Sequence, residues 1–228
     1  MLRASEKGKR MAKASRQAII LNLPEQTLRI VLNSGTGAIF VLSLLLLCGC
    51  DSKAPNYYVL HSLQSEAPDV KITRAQNDLT IGVGPIKIPE YLDRPQMATR
   101  STPYSLQFAE FDKWAEPLQK NLTRVLAENL AILLSTDRVG VYPWLTGTQV
   151  QYQVTVDITQ LERMPEGKVI LAARWNVLGD HGDNLLLVKS SRFSIPIESA
   201  GYEGIASAES RAVEALSREI ALAIKSLH

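Results

Sequence analysis

The sequence predicts an α+β domain, a two-layer sandwich in which an antiparallel sheet carries two amphipathic helices on one face. Two observations indicate this class. Residues 114–134 and 204–227 have apolar side chains at steps of three and four, which is typical of helices with one buried face. Between them, residues 152–159 alternate apolar and polar side chains, which is typical of a strand with one buried face. With the further strands below, the pattern predicts a two-layer fold.

Short strands are predicted in the first part of the domain. Aromatic and β-branched residues indicate strands at 57–60 and 79–83, and the chain stays extended over 86–89 because a residue before proline avoids the helical region. Residues 95–100 and 104–108 flank Ser101-Thr102-Pro103, which predicts a hairpin. The polar segment 62–78 is predicted to be a loop.

The first helix is predicted over residues 114–134. Asp112 is its predicted N-cap, and Pro117 falls in the first turns, where a missing N–H costs little. A short strand is predicted at 139–142.

A strand meander and a final helix complete the domain. Strands are predicted at 152–159, 168–177 and 185–197, with turns at 164–167 and 179–183. Because neighbouring strands joined by short turns pair in opposite directions, an antiparallel sheet is expected. The helix at 204–227 closes the chain.

The amino-terminal segment predicts a lipoprotein signal peptide. Leu47-Cys48-Gly49-Cys50 reads as a lipobox that ends an apolar run beginning at Ala38, and Cys50 is the predicted lipidation site. The alternative is a retained membrane helix, but the run has about 10 residues, whereas a span needs about 20. We therefore predict a signal peptide at 1–49, a lipidated tether at 50–56 and one domain at 57–228.

Charge and cysteine content narrow the function classes. The whole chain has 25 basic and 23 acidic residues, a formal net charge of +2. Seven of the basic and two of the acidic residues precede Cys50, so the part from Asp51 onward has 18 basic and 21 acidic residues. A near-neutral, slightly acidic domain gives no support for a nucleic-acid partner. After removal of the signal peptide, Cys50 is the remaining cysteine, which excludes a disulfide and a catalytic thiol.

No catalytic or metal-binding signature stands out. The three histidines (His61, His181 and His228) lack a second ligand at metal spacing, and there is no nucleophile elbow or phosphate loop. Gly82-Val83-Gly84-Pro85 leads to proline instead of a helix, so it reads as the end of a strand. The sequence predicts a protein without enzymatic activity, cofactor or metal. The alternative in the enzyme class is a cell-wall hydrolase, because such an enzyme needs only a pair of carboxylates, and the part from Asp51 onward has 21 acidic residues. Nothing in the sequence singles out one pair.

One region of the sequence follows neither the period of a helix nor that of a strand. It combines prolines, charged residues and aromatic side chains, and it consists of residues 85–96 with Arg100, Trp114 and Glu116 after them. One interpretation is a rigid loop, with Asp93 and Arg94 solvated and Trp114 in the core. The other is a presented binding edge, because Tyr, Arg and Trp often carry interface energy and proline lowers the cost of ordering. The residues themselves leave both open.

Longer motifs in this region carry a family resemblance. Three motifs resemble the ABC-type transport auxiliary lipoprotein family: Val83-Gly84-Pro85-Ile86, Pro89-Glu90-Tyr91-Leu92-Asp93-Arg94-Pro95-Gln96 and Trp114-Ala115-Glu116-Pro117-Leu118. Three shorter matches agree with this resemblance: Arg124-Val125-Leu126, Asn129-Leu130 and the Tyr57-Tyr58-x-Leu60 opening. The resemblance covers about residues 50–227.

The resemblance implies a non-enzymatic lipoprotein that serves lipid transport across a Gram-negative envelope. Implied partners are an MCE-domain periplasmic protein and an inner-membrane transport component, with a ring-like homo-oligomer as the assembly. The implied location is the outer membrane, facing the periplasm, although Asp51 directly after Cys50 is compatible with retention at the inner membrane. A lipid-binding carrier is the alternative function. The candidate partner-binding residues are Tyr91, Asp93, Arg94, Gln96, Arg100, Trp114 and Glu116.

Overall fold

The computed structural model describes residues 53–63, 78–144 and 149–228. The predicted signal peptide, Cys50 and Asp51 lie outside the described residues, as does most of the predicted loop at 62–78. No helix in the described ranges is long and apolar enough to cross a membrane.

The described chain forms eight strands and two long helices. The strands are β1 (Asn56–Tyr58), β2 (Ile81–Lys87), β3 (Gln96–Thr102), β4 (Ser105–Trp114), β5 (Val139–Val141), β6 (Tyr152–Arg163), β7 (Lys168–Gly179) and β8 (Asn184–Pro196). The helices are α1 (Leu118–Leu134) and α2 (Gly201–Leu227), and short 3-10 turns lie at Glu90–Leu92 and Asp180–Gly182. The predicted α+β class is confirmed.

All eight strands belong to one mixed sheet. The β3–β4 hairpin and the β6–β7–β8 meander are antiparallel, as predicted. The sheet also contains parallel pairs, because β1 pairs with β4, β2 with both β5 and β6, and β3 with β6 in parallel. These parallel pairs join strands that are distant in sequence. Strand β6 is long enough to pair with β7 along one edge and, along the other, with β2 and then, at its last residue Arg163, with Thr99 in the middle of β3.

Both helices pack on one face of the sheet. In β7, alternate residues from Val169 to Val177 are buried beneath α2, and Trp175 is fully buried. Lys189 on β8 lies beside Trp175 in the register of the two strands and forms an ion pair with Glu219 on α2. Lys189 and every second residue of β8 from it therefore lie on the face that carries α2. The opposite face of β8 is exposed. The alternation of apolar and polar residues in these strands therefore corresponds to one face that packs against the helices and one face that is largely exposed to solvent.

Side chains from both helices fix the chain that follows β1. Asn121 Oδ1 and Asn129 Oδ1 on α1 accept hydrogen bonds from the backbone N–H groups of Leu60 (3.2 Å) and Leu63 (2.9 Å). From α2, the hydroxyl of Ser210 accepts the N–H of His61 at 3.1 Å. Leu60 lies in the core. The segment 60–63 is thus held by side chains instead of by a neighbouring strand.

The start of α1 differs from the prediction. The helix begins at Leu118 with Pro117 as its N-cap residue, and β4 continues through Trp114. Asp112 is therefore a strand residue and not a helix cap. Its Oδ1 accepts hydrogen bonds from Asn56 Nδ2 (2.9 Å) and from the hydroxyl of Tyr58 (2.8 Å), which join β1 to β4.

Candidate docking site

The candidate partner-binding residues begin in the connection between β2 and β3. A 3-10 turn, Glu90–Leu92, is closed by hydrogen bonds from Leu92 N to Pro89 O and from Asp93 N to Glu90 O. Leu92 is buried, which fastens the turn to the core. The segment is therefore a shaped loop with one apolar anchor, and Asp93 and Arg94 follow this anchor on the surface.

A buried carboxylate holds two of the candidates. Glu162 on β6 has no exposed surface, and its Oε2 accepts a hydrogen bond from the hydroxyl of Tyr91 at 2.9 Å. Its Oε1 receives Arg100 Nε at 2.8 Å and Gln160 Nε2 at 2.9 Å. Because a buried charge is costly unless it is paired and hydrogen-bonded, these donors are what allow Glu162 to remain inside.

We define the Glu162 cluster as Tyr91, Arg100, Gln160 and Glu162. Within it, the pKa values of Tyr91 and Arg100 are shifted. Burial raises the pKa of Tyr91, and the charge of Glu162 and the hydrogen bond to it raise this pKa further. The hydrogen bond to Glu162 raises the pKa of Arg100. Over the ordinary pH range Tyr91 therefore stays a neutral donor and Arg100 a cation.

Asp93 and Arg94 are exposed, and Arg94 is placed by an aromatic ring. Its guanidinium carbon lies 4.0 Å from the ring centroid of Phe108 on β4, a cation–π contact. Phe108 is itself 40% exposed. We call Asp93, Arg94 and Phe108 the Arg94–Phe108 surface. It combines two exposed side chains of opposite charge with an exposed aromatic ring, and Arg and aromatic side chains are residue types that often carry interface energy.

The remaining candidates lie elsewhere. Trp114 is 5% exposed and belongs to the core, and its backbone N–H donates to Pro95 O at 2.7 Å. Gln96 is half-buried in β3. Glu116 precedes α1, and its carboxylate contacts Arg124 at 2.9 Å. Arg124 also contacts Glu128 at 3.3 Å.

Thus the structure divides the seven candidates into distinct groups. Tyr91 and Arg100 bind Glu162, Trp114 packs in the core, and Asp93 and Arg94 face solvent. Sequence reasoning missed Glu162 and Phe108. Phe108 has the alternation signal of a strand residue, but Glu162 lies in a polar run, Gln160-Leu161-Glu162-Arg163, which has the appearance of an exposed strand end.

An open groove of about 710 Å³ runs between α1 and the β2–β5 edge of the sheet. Its apolar lining includes Ile86, Ala127, Val141 and Tyr142, and Arg124 lies with Glu116 and Glu128 on its charged side. No group of three or more potential metal-ligating side chains occurs in the described part of the chain.

Comparison with known proteins identifies the class of protein. The sequence matches the family model for the ABC-type transport auxiliary lipoprotein component over residues 61–221, so the chain belongs to this family. It is 28% identical over 140 residues to the intermembrane transport lipoprotein PqiC of Escherichia coli strain K12, and this alignment covers 59% of the chain and 70% of PqiC. The PqiC of Shigella flexneri matches to the same extent.

Solved structures share the fold. An uncharacterised protein superposes with a TM-score of 0.61 at 18% identity, over 75% of this chain and 99% of the other. A protein from Xanthomonas campestris superposes with a TM-score of 0.56 at 16% identity, over 74% and 90%. The chain is therefore a transport auxiliary lipoprotein by family, similar to PqiC.

Proposed function

We propose that this protein is a lipid-anchored docking subunit of an intermembrane lipid-transport system in a Gram-negative envelope. It has no catalytic role in this proposal. Its partners would be an MCE-domain periplasmic protein and an inner-membrane transport component. The family match over residues 61–221 carries the proposal, and the similarity to an intermembrane transport lipoprotein supports it.

The proposed anchor is the lipidated Cys50, at the outer membrane and facing the periplasm. Asp51 makes the inner membrane the alternative location. Fractionation of the two membranes from cells that produce the native lipoprotein distinguishes these locations.

The proposed contact with the MCE-domain protein is the Arg94–Phe108 surface. Of the seven sequence candidates, Asp93 and Arg94 have the exposure that a docking residue needs, and Phe108 adds aromatic area beside them. The Glu162 cluster would act indirectly, since it holds Tyr91 three residues before Arg94. Gln96 and Glu116 are weaker candidates, because Gln96 is half-buried and Glu116 is paired with Arg124.

A ring-like homo-oligomer is part of the proposal. The family resemblance implies docking onto the tip of a tube formed by the MCE-domain protein, and a tube docks most simply onto a symmetric ring. In the described residues β8 pairs with β7 alone, so one edge of this 13-residue strand is without a strand partner. Natural proteins usually cover or protect such an edge. Mass photometry of the detergent-solubilised lipoprotein would give the subunit number, and a monomer at every concentration would contradict the ring.

The experiment is an affinity pull-down of the lipoprotein from detergent extracts of the envelope. We expect the native protein to recover an MCE-domain protein, and the double variant Asp93→Ala/Arg94→Ala to lose it. The matched control is Asp137→Ala/Arg138→Ala, which removes another adjacent and exposed Asp–Arg pair, in the connection between α1 and β5. Equal recovery with the double variant would refute the docking surface, and no MCE-domain protein with any variant would refute the function.

A second candidate function, a lipid-binding carrier, is favoured by one observation. The groove beside α1 has an apolar lining of a size that could take part of an acyl chain. Native mass spectrometry of the purified protein tests it. A bound phospholipid that is lost in Ala127→Asp, while the docking variant retains it, would favour the carrier over the docking subunit.

A further inference from the structure

The β3–β4 hairpin ends in an exposed tyrosine. Thr102 pairs with Ser105 across a two-residue turn, Pro103-Tyr104, and the Tyr104 side chain is 98% exposed. Hydrogen bonds fix the shape of this tip. Arg100 Nη1 donates to Pro103 O at 2.9 Å, and the backbone N–H of Tyr104 donates to Thr102 Oγ1 at 3.3 Å. An aromatic side chain is therefore held outward on a rigid tip.

The direction of β1 relates this tip to the amino-terminal tether. Strand β1 runs parallel to β4, with Asn56 beside Asp112 and Tyr58 beside Trp114. The chain before Asn56 therefore arrives from the side on which β4 begins, which is the side of the hairpin tip. Lys53 agrees with this direction, because its Nζ lies 5.7 Å from the ring centroid of Phe111, one residue closer to the tip than Asp112.

The chain from Cys50 to Asn56 and the chain from Ser105 to Asp112 have nearly the same length. Cys50 precedes Asn56 by six residues, which can span at most about 21 Å. Ser105 precedes Asp112 by seven residues on β4, which extend about 23 Å and somewhat less across the irregular register of this strand. A lipid on Cys50 therefore cannot hold the membrane surface much farther from Asn56 than the hairpin tip reaches.

The chemistry of the tip suits a lipid headgroup surface. Residues 101–107, Ser-Thr-Pro-Tyr-Ser-Leu-Gln, contain no charged side chain, so anionic headgroups would not repel them. Tyrosine is enriched where membrane meets water, because its ring is apolar and its hydroxyl remains hydrogen-bonded.

From these relationships we propose that the hairpin tip, residues 102–105, rests on the headgroups of the membrane that holds the lipid anchor, with Tyr104 as the contacting side chain. This inference rests on lipidation of Cys50, which is part of the proposed function. It gives the domain a second membrane contact and fixes which end of β4 faces the bilayer. The other end, where β4 leads towards α1, then faces the aqueous compartment.

The test uses single-cysteine labelling of the full, lipidated protein. The sequence contains Cys48 and Cys50. Cys48 leaves with the predicted signal peptide, and the thiol of Cys50 becomes a thioether when it receives the diacylglyceryl group, so the lipidated protein has no free thiol of its own. Ser105→Cys and Ala115→Cys place one exposed thiol at each end of β4. Each variant is labelled with nitrobenzoxadiazole and reconstituted into vesicles of phosphatidylethanolamine and phosphatidylglycerol that carry a nitroxide on the headgroup.

We expect the label at position 105 to lose most of its emission and shift to shorter wavelength, and the label at 115 to do neither. Equal quenching at the two positions, or none at 105, in protein whose mass confirms acylated Cys50 would overturn this proposal alone. An unmodified Cys50 would overturn both this proposal and the anchored docking subunit.

Discussion

Tyr91 donates a hydrogen bond of 2.9 Å to Glu162, a carboxylate with no exposed surface that lies 71 residues farther along the chain. This contact joins the connection after β2 to the middle of the sheet. Arg100 reaches the same carboxylate from β3 at 2.8 Å. The loop that precedes Arg94 is therefore held by a long-range interaction with a buried carboxylate, in addition to its local hydrogen bonds and the buried side chain of Leu92.

Removal of Glu162 is expected to destabilise the domain strongly. Glu162→Ala leaves the Nε of Arg100 and the hydroxyl of Tyr91 without their acceptor, and breaking a buried ion pair on one side costs about 3–5 kcal/mol of unfolding free energy. Urea unfolding of the mature protein, followed by circular dichroism, measures this loss. Lys120→Ala, at an exposed position of α1, serves as the control and should change stability little.

Coupling between Tyr91 and Glu162 is a separate prediction. Tyr91→Phe removes one hydrogen bond to a charged group, which is worth about 1.5–3 kcal/mol, and its cost should largely vanish when Glu162 is already replaced by Ala, which has no acceptor for the Tyr91 hydroxyl. The double-mutant cycle Tyr91→Phe with Glu162→Ala gives the coupling energy. Additive effects of the two changes would show that the contact does not contribute to stability.

Among the side chains that hold the segment after β1, Asn129 on α1 is expected to be the most sensitive to substitution. It is fully buried, accepts the Leu63 N–H at 2.9 Å and donates to the hydroxyl of Ser217 at 3.0 Å. Asn129→Ala leaves the Leu63 N–H without its acceptor, so we expect a loss of about 2–4 kcal/mol from this unmet group and the new cavity. Thermal and urea unfolding measure it.

Hydrogen exchange locates the same effect. The Leu63 amide should exchange faster in Asn129→Ala than in the native protein, whereas amides of β7 should change only as far as global stability does. Unchanged protection at Leu63, relative to β7, would contradict the role assigned to Asn129.

The elements that sequence could predict are those governed by local pattern. The hairpin at Thr102–Ser105, the β6–β7–β8 meander and both helices follow from alternation, turn residues and three-to-four spacing. The parallel partners of β1 and β2 could not be predicted, because pairing between distant strands depends on the whole core. The start of α1 was placed too early since Trp114 continues the apolar spacing, although Trp114 is in β4 and its backbone bonds Pro95.

The candidate site was predictable only in part, for the same reason. The motif Tyr91-Leu92-Asp93-Arg94 draws attention to the correct loop, and Asp93 and Arg94 are exposed there. Tyr91 and Arg100 differ from these surface residues because both bind the buried carboxylate of Glu162. Glu162 lies 71 residues after Tyr91 and 62 residues after Arg100. Long-range partners of this kind leave no local periodicity in the sequence.

Glu209 on α2 gives the domain a predicted pH dependence. Its side chain is buried, and its Oε2 has no hydrogen-bond partner among the residues that the structure describes. Burial, followed by the charge of Glu162, raises its pKa well above the ordinary glutamate value. The folded state therefore holds this proton more tightly than the unfolded state. The stabilisation is complete below the unfolded pKa and declines as pH rises towards the folded pKa, by at most about 1.4 kcal/mol per pH unit.

Glu209→Gln should remove this titration. We expect its free energy of unfolding to fall less steeply with pH, above the ordinary glutamate pKa, than that of the native protein, because a glutamine has no proton to lose. Urea unfolding at a series of pH values gives both slopes. Glu214→Gln, on the same helix, is the control, since it removes a carboxylate that is paired with Arg218 near the surface. Parallel pH profiles for Glu209→Gln and the native protein would show that Glu209 does not couple folding to protonation.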